Sequence, residues 1–334
     1  MSDELLTTLL RDVSRSFYLT MRILPAAIRS QIGVAYLLAR ATDTVADTEI
    51  LPVASRLGSM AQLREKILGN SSAPLDFGDL AGNQEKAADK ILLQRVGDAV
   101  ALVQTFVEDD QRRIRDVLKT IISGQELDLQ RFGGANAEKI AALENDVELD
   151  DYTYRVAGCV GEFWTRTCRA WLFPTAQLDD DLLLRDGVRF GKGLQMVNIL
   201  QDIPQDLRNG RCYIPRQALS AAGLTPEDLL SAANEPRFSA LCNKYLDQAQ
   251  EHLAAGWSYT NMLPRSHLRL HLGCAWPILI GVRTLQKMRR ENVLIAGRRI
   301  KISREEVRGV RLRSILLYPW ESRWKRLFDT EIKA

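Results

Sequence analysis

Val34-Ala35-Tyr36-Leu37-Leu38-Ala39-Arg40-Ala41-Thr42-Asp43-Thr44-Val45-Ala46-Asp47 is the stretch on which the reading of this sequence turns. Its first six residues are almost wholly apolar, so a helix built from them is buried nearly all round. Its last nine set two aspartates four residues apart in an otherwise apolar context. The spacing returns in Asn198-Ile199-Leu200-Gln201-Asp202-Ile203-Pro204-Gln205-Asp206. Residues four apart stack on one helical face, so each pair aims two carboxylates the same way. Like charges held so repel, and burying them unpaired is costly, so a cation must compensate. Oxygen ligands alone select hard cations, and Mg²⁺ keeps waters while bridging one or two carboxylates to phosphate oxygens. Two such helices facing each other across an apolar cavity would suit a long hydrocarbon diphosphate, with metal ions assisting departure of the diphosphate. One pair alone is equally at home on a solvated helix face. Two pairs, each with arginine near it (Arg40; Arg208 and Arg211), leave metal binding and the surface reading evenly balanced on spacing alone.

Outward from these motifs, nearly everything reads as helix. Val96 to Ile122 carries apolar residues three and four apart, and Tyr152–Leu172, Leu183–Ile203, Phe238–Met262 and Leu268–Met288 look similar. Pro25, Pro174, Pro215, Pro226 and Pro264 fall at expected helix edges. Gly69 to Gln84 reads as a surface loop, and Asn292 to Ile302 is the one candidate for a small hairpin. Pro204 removes a backbone hydrogen bond inside its helix and is expected to kink it. Glycine-rich phosphate loops are absent. The expectation is an all-α protein, a single domain over 1–334 with a basic C-terminal extension from about 290 onward.

The composition is that of an ordinary globular chain: 334 residues, 46% hydrophobic and 26% charged. Five widely spaced cysteines with no CxxC pair suggest neither a disulfide framework nor a zinc site, and three histidines make an imidazole-built metal centre unpromising. The N-terminus opens with Asp3 and Glu4 rather than a basic leader, and no run of about 18 apolar residues marks a membrane span. A cytoplasmic location is expected. Net charge is only +3, yet Arg265 to Ala334 holds seventeen lysines and arginines against six acidic residues. That excess suits an anionic ligand or an acidic lipid surface; no nucleic-acid recognition motif accompanies it.

The aspartate motifs sit among further segments that together resemble the squalene/phytoene synthase family. These are Val13-Ser14-Arg15-Ser16-Phe17, Tyr36 through Asp47, Asp151-Tyr152 through Val156-Ala157-Gly158-Cys159-Val160-Gly161, Gly193-Leu194-Gln195 through Asn198, Asp202, Asp206, Gly210-Arg211 and Pro215. They cover about Asp12 to Pro277 in the family's order. The resemblance implies a helical isoprenoid-synthase fold around an apolar cavity and head-to-head joining of two prenyl diphosphates through a cyclopropyl intermediate. It makes Asp43, Asp47, Asp202 and Asp206 the Mg²⁺ ligands, and Arg40 and Arg211 the diphosphate forks. Ser14, Arg15 and Ser16 match the segment that closes over the first diphosphate. Tyr36 and Tyr152 match tyrosines near the reacting carbons, and with Arg40 are the expected catalytic residues. Gln195 and Asn198 match polar positions lining the cavity. Without the resemblance, both tyrosines read by default as core residues with a satisfied hydroxyl, and Gly158 and Gly161 as close-packing positions. Ala46, Gln201 and Gln205 depart from the family's usual charged residues.

Gly273-Cys274-Ala275-Trp276-Pro277 and Ile300-Lys301-Ile302-Ser303-Arg304 resemble the C-terminal half of the family's squalene-forming members, where hydride comes from NADPH. On that resemblance the substrate is farnesyl diphosphate in two copies, and Arg299, Lys301 and Arg304 are the expected partners of cofactor phosphates. A solvated basic turn fits the same residues. Gly273, where relatives carry an aromatic, keeps open an enzyme that halts at presqualene diphosphate, and phytoene or dehydrosqualene synthesis without reduction also stays open. So does a non-enzymatic prenyl-lipid-binding protein on the same fold, although retained aspartate pairs speak against it. Leu312 to Phe328 mixes Trp, Leu and Arg, which fits either peripheral contact with the cytoplasmic face of a membrane or a helix packed on the body with a basic outer face.

Overall fold

The computed structural model describes residues 4–14, 17–48 and 50–333. Helices dominate; among the described residues the strands are two residue pairs, Ala141–Ala142 and Arg211–Cys212, joined in parallel. The all-α expectation holds. The chain clusters into two units: Met1–Gly133 with Phe163–Thr175, and Gly134–Glu162 with Ala176–Ala334.

In the first unit the helix Ala26–Asp47 packs on Val53–Leu68, Val96–Val103 and Glu108–Phe132. Pro25 precedes its first turn, where a missing N–H costs nothing. Val34, Leu37, Leu38 and Ala41 are fully enclosed, while Tyr36 and Ala39 retain partial access, so this helix is buried on most of its circumference but not on all of it. A buried polar knot fixes its register. Asp110, 1% exposed, accepts from Gln31 Nε2 at 3.1 Å, Arg113 Nη1 at 2.5 Å and Trp171 Nε1 at 3.0 Å. A carboxylate so enclosed is tolerable only because charge and hydrogen bonds both meet it. At the helix C-terminus the buried Arg56 donates to the Ala46 carbonyl at 2.7 Å, placing a cation where the helix dipole is negative.

The second unit is centred on the helix Asp180–Arg208, packed on Glu235–Met262 and Leu268–Met288. Asp179 caps it by accepting from Leu182 N at 2.9 Å. Its neighbours come close because glycine lines the contacts. A Cβ on Gly161 would stand 1.9 Å from the Gly187 carbonyl oxygen, and one on Gly191 2.1 Å from that of Ala157. The packing role expected of Gly161 is therefore real. Pro204 is accommodated inside the helix, which continues to Arg208.

Three local expectations need correction. The periodicity from Val96 to Ile122 is not one helix: it breaks at Gln104–Val107, where the Gln111 side chain donates to the carbonyls of Gln104 and Phe106. Gly69 to Gln84 includes a short helix, Gly78–Gly82. Asn292 to Ile302 forms turns instead of a hairpin; Asn292 Oδ1 accepts from Leu294 N at 2.8 Å and Gly297 takes φ 75°. Among the described residues, no helix is long and apolar enough to cross a membrane.

Candidate active site

Tyr36, Arg40, Asp43 and Asp47 fall at successive four- and three-residue steps, so they share one stripe of the helix Ala26–Asp47. Tyr36 is half-buried, Asp43 partly exposed and Asp47 exposed. Arg40 is the centre of this stripe. Its Nη1 engages Asp43, and its Nη2 lies 3.2 and 3.3 Å from the two oxygens of Asp89. Burial draws the Arg40 pKa down, but the charges of Asp43 and Asp89 outweigh it and hold the guanidinium above its ordinary value. Asp89 lies within Ala87–Gln94 and is buried. Sequence reasoning missed it, because one aspartate in an amphipathic octapeptide carries no signal of what it will face. The cation assigned to substrate diphosphate thus also braces the first aspartate motif.

Ser14 ends the helix Leu10–Ser14 and is buried. Arg15 and Ser16 lie outside the described residues.

On the second unit Gln195, Asn198, Asp202 and Asp206 share one stripe of the helix Asp180–Arg208. Asn198 is exposed; Gln195, Asp202 and Asp206 are half-buried. Asp202 forms an ion pair with Arg299, Nε to Oδ1 at 2.8 Å. Burial raises the Asp202 pKa, and Arg299 works against that rise. Beside it, Gln201 Nε2 donates to the Ile300 carbonyl at 2.5 Å, while Lys287 Nζ donates to the Lys301 carbonyl at 3.1 Å. The 299–301 segment is therefore laid against the second aspartate motif. Gln201, where a charged residue was expected, serves as the neutral clip that holds it. Arg299 was expected to meet cofactor phosphate and is here committed to Asp202; Lys301 and Arg304 remain exposed.

Gly210, at φ 77°, reverses the chain after this helix, and a Cβ there would come within 2.2 Å of Asn136 N. The reversal delivers Arg211 into its two-residue strand. Arg211 and Asp206 then line one small cavity with Ile199, Ile203, Leu207 and Tyr213. Tyr152 is buried and stacked on Tyr213 at 4.7 Å between ring centroids, just ahead of a π-helical turn, Tyr154–Gly158. Wide turns of this kind recur at functional sites.

Among the described residues, no group of three or more His, Cys, Asp or Glu side chains forms a ready cage for a metal. What each unit offers is a partly exposed, all-oxygen pair with a cation beside it. That donor set fits Mg²⁺, which takes few protein carboxylates and completes its shell with water and phosphate oxygens. The five cysteines are buried, and burial pushes the thiols of Cys159, Cys212 and Cys242 up to about 12, away from the thiolate form that softer metal ions take.

A helical protein with a paired-aspartate stripe and an attendant arginine in each of two units has the equipment of an isoprenoid-synthase-type fold. The chain belongs to the squalene/phytoene synthase family, whose model matches residues 10–306. The family consists of enzymes that transfer prenyl groups from prenyl diphosphates. Similar curated proteins include a presqualene diphosphate synthase of Sinorhizobium fredii, 29% identical over 254 residues, covering 76% of this chain and 77% of the relative. A 15-cis-phytoene synthase of Synechocystis is 26% identical over 273 residues, covering 79% and 68%. Among solved structures, a squalene synthase, TcSQS with the ligand E5700, aligns with TM-score 0.75 at 19% identity, covering 100% of this chain and 98% of that one.

Proposed function

We propose that this enzyme joins two farnesyl diphosphates head to head, through presqualene diphosphate, and carries the product on to squalene with hydride from NADPH. The observation that carries the reading is the docking of the 299–301 segment on the second aspartate motif: Arg299 meets Asp202, and Gln201 holds the Ile300 carbonyl. A basic element expected at the reductive step thereby adjoins residues expected at the ionising step. Bound Mg²⁺, held by Asp43 and Asp47 and by Asp202 and Asp206, would neutralise charge on the departing diphosphate. Arg40 and Arg211 supply planar donor forks to its oxygens. Tyr36, one turn before Arg40, accepts a proton from the reacting carbons or steadies positive charge on them; Tyr152, stacked on Tyr213, serves the same end in its own unit. Gln195 and Asn198 orient the substrate, as do the residues around Ser14. Lys301 and Arg304 meet NADPH phosphates.

A second reading, an enzyme that stops at presqualene diphosphate, is favoured by the names of relatives such as that of Sinorhizobium fredii and by Gly273. Product analysis with farnesyl diphosphate and Mg²⁺, with and without NADPH, separates them. Squalene formed only with NADPH is the expected result. Presqualene diphosphate accumulating in both tubes would select the second reading.

A further inference from the structure

The C-terminal helices present an apolar surface that the aspartate chemistry does not use. Leu312 (55% exposed), Ile315 (45%), Leu316 (57%) and Trp320 (54%) lie within nine consecutive residues. The other large exposed apolar residues are mostly scattered along the chain, as Ile50, Val107 and Val147 are. On the helix Arg304–Leu317, positions 308, 312, 315 and 316 fall within an arc of about 100°. The opposite face is anchored: Val310 and Ser314 are buried, and Ser314 Oγ accepts from Trp276 Nε1 at 3.0 Å.

The mounting is firm. Fully buried Glu331 holds Arg283 at 2.9 Å and Arg313 at 2.6 Å, so it ties the last helix, Leu327–Lys333, to Leu268–Met288 and Arg304–Leu317. Buried Trp324 donates to Asn261 at 2.9 Å. The patch therefore belongs to a fixed helix face. The turn after this helix is tied down as well: Arg265 donates to the Tyr318 carbonyl and lies over the Tyr318 ring.

Charge decides the occupant. Arg304 and Arg308 stand at one end of the apolar stripe, and Arg323 and Arg326 at the other, all exposed. Of the exposed acids from 304 to 329, Glu321 is paired with Lys325 at 2.7 Å, leaving Glu305 and Asp329 against the four arginines. A second copy docked through the same face about a twofold axis would bring these arginines against their own kind. An anionic bilayer complements them, and a tryptophan between apolar and basic residues suits the headgroup boundary. We propose that this face docks on an anionic lipid surface. Leu312, Ile315, Leu316 and Trp320 enter the headgroup–acyl boundary, and Arg308 and Arg323 meet lipid phosphates. The docking holds whichever product the enzyme releases.

The test is sedimentation of the full chain with phosphatidylcholine vesicles, with and without phosphatidylglycerol, over a salt series. Binding to the anionic vesicles, weakening as salt rises, is expected, and the double variant Leu316→Glu/Trp320→Glu should lose about tenfold in partitioning. Brominated lipid should quench tryptophan emission in the native chain and fail to do so in Trp320→Phe, a change small enough to leave the fold intact. Three results overturn the proposal: no sedimentation of the native chain, binding indifferent to both variants, or a dimer dissolved by Leu316→Glu in a chain that ignores vesicles. The last assigns the face to a second copy.

Discussion

Asp89→Asn tests whether Arg40 is balanced between two carboxylates. Asp89 has 10% of its side chain exposed and Arg40 23%, with 3.2 Å between Nη2 and the nearer oxygen. Asparagine keeps the volume and one acceptor but removes the charge. At an effective dielectric constant of about 20, two unit charges about 4 Å apart interact with about 4 kcal/mol. Release from desolvating Asp89 and the surviving hydrogen bond return much of that, leaving a stability loss of about 1–2 kcal/mol. The functional consequence is separate. With Asp89 neutral, Arg40 settles its whole attraction on Asp43, and a metal ion must compete for that carboxylate. A penalty of about 1 kcal/mol there corresponds to about a fivefold rise in the metal concentration giving half saturation. Mn²⁺ binding in the presence of inorganic pyrophosphate, read by electron paramagnetic resonance, measures this, and a urea titration measures stability. Lost stability with unchanged metal affinity would rule out that competition and reduce Asp89 to a packing residue.

Other consequences follow from the same geometry. Arg299→Gln removes the cation that opposes burial at Asp202, so the Asp202 pKa should rise further. The acid limb of metal-dependent pyrophosphate release should then move to higher pH, and a superimposable pH profile would count against the pair. Lys301→Ala should spare pyrophosphate release in the first step and slow reduction; equal loss in both steps would sink the cofactor assignment. His252 is held neutral by burial and by the nearby charges of Arg189 and Lys192, down to about 4, and its Nδ1 accepts from Arg189 Nε at 3.5 Å. Its folded pKa lies below the unfolded one, so this contribution to stability is complete above about pH 6.5 and is lost as pH falls toward 4. His252→Gln should flatten that part of a plot of urea midpoint against pH, and an unchanged slope would refute the assignment.

The helices were legible where apolar periodicity is strong and capping is conventional. Leu268–Met288 has the bounds the sequence suggests, and Pro25 and Pro215 stand at the helix starts they predict. Tyr36, Arg40, Asp43 and Asp47 fall on one stripe by spacing alone. What stayed hidden depends on residues distant in sequence. Asp89 meets Arg40 across 49 positions, and Ile300 meets Gln201 across 99, so no local pattern announces either. The turn at Asn292 defeats a hairpin reading because an asparagine side chain and a left-handed glycine satisfy the backbone locally. Likewise, Gln111 interrupts an apolar repeat by capping a break that the repeat itself does not show.

The proposed ionisation depends on metal ions held by the two aspartate pairs. Pyrophosphate release from farnesyl diphosphate, measured against Mg²⁺ concentration for the native chain, Asp43→Asn and Asp202→Asn, is the deciding measurement. Release that requires Mg²⁺ and disappears in both variants, with unchanged thermal melts, is the predicted result. Turnover at the native rate in either variant, or release indifferent to a chelator, would contradict it.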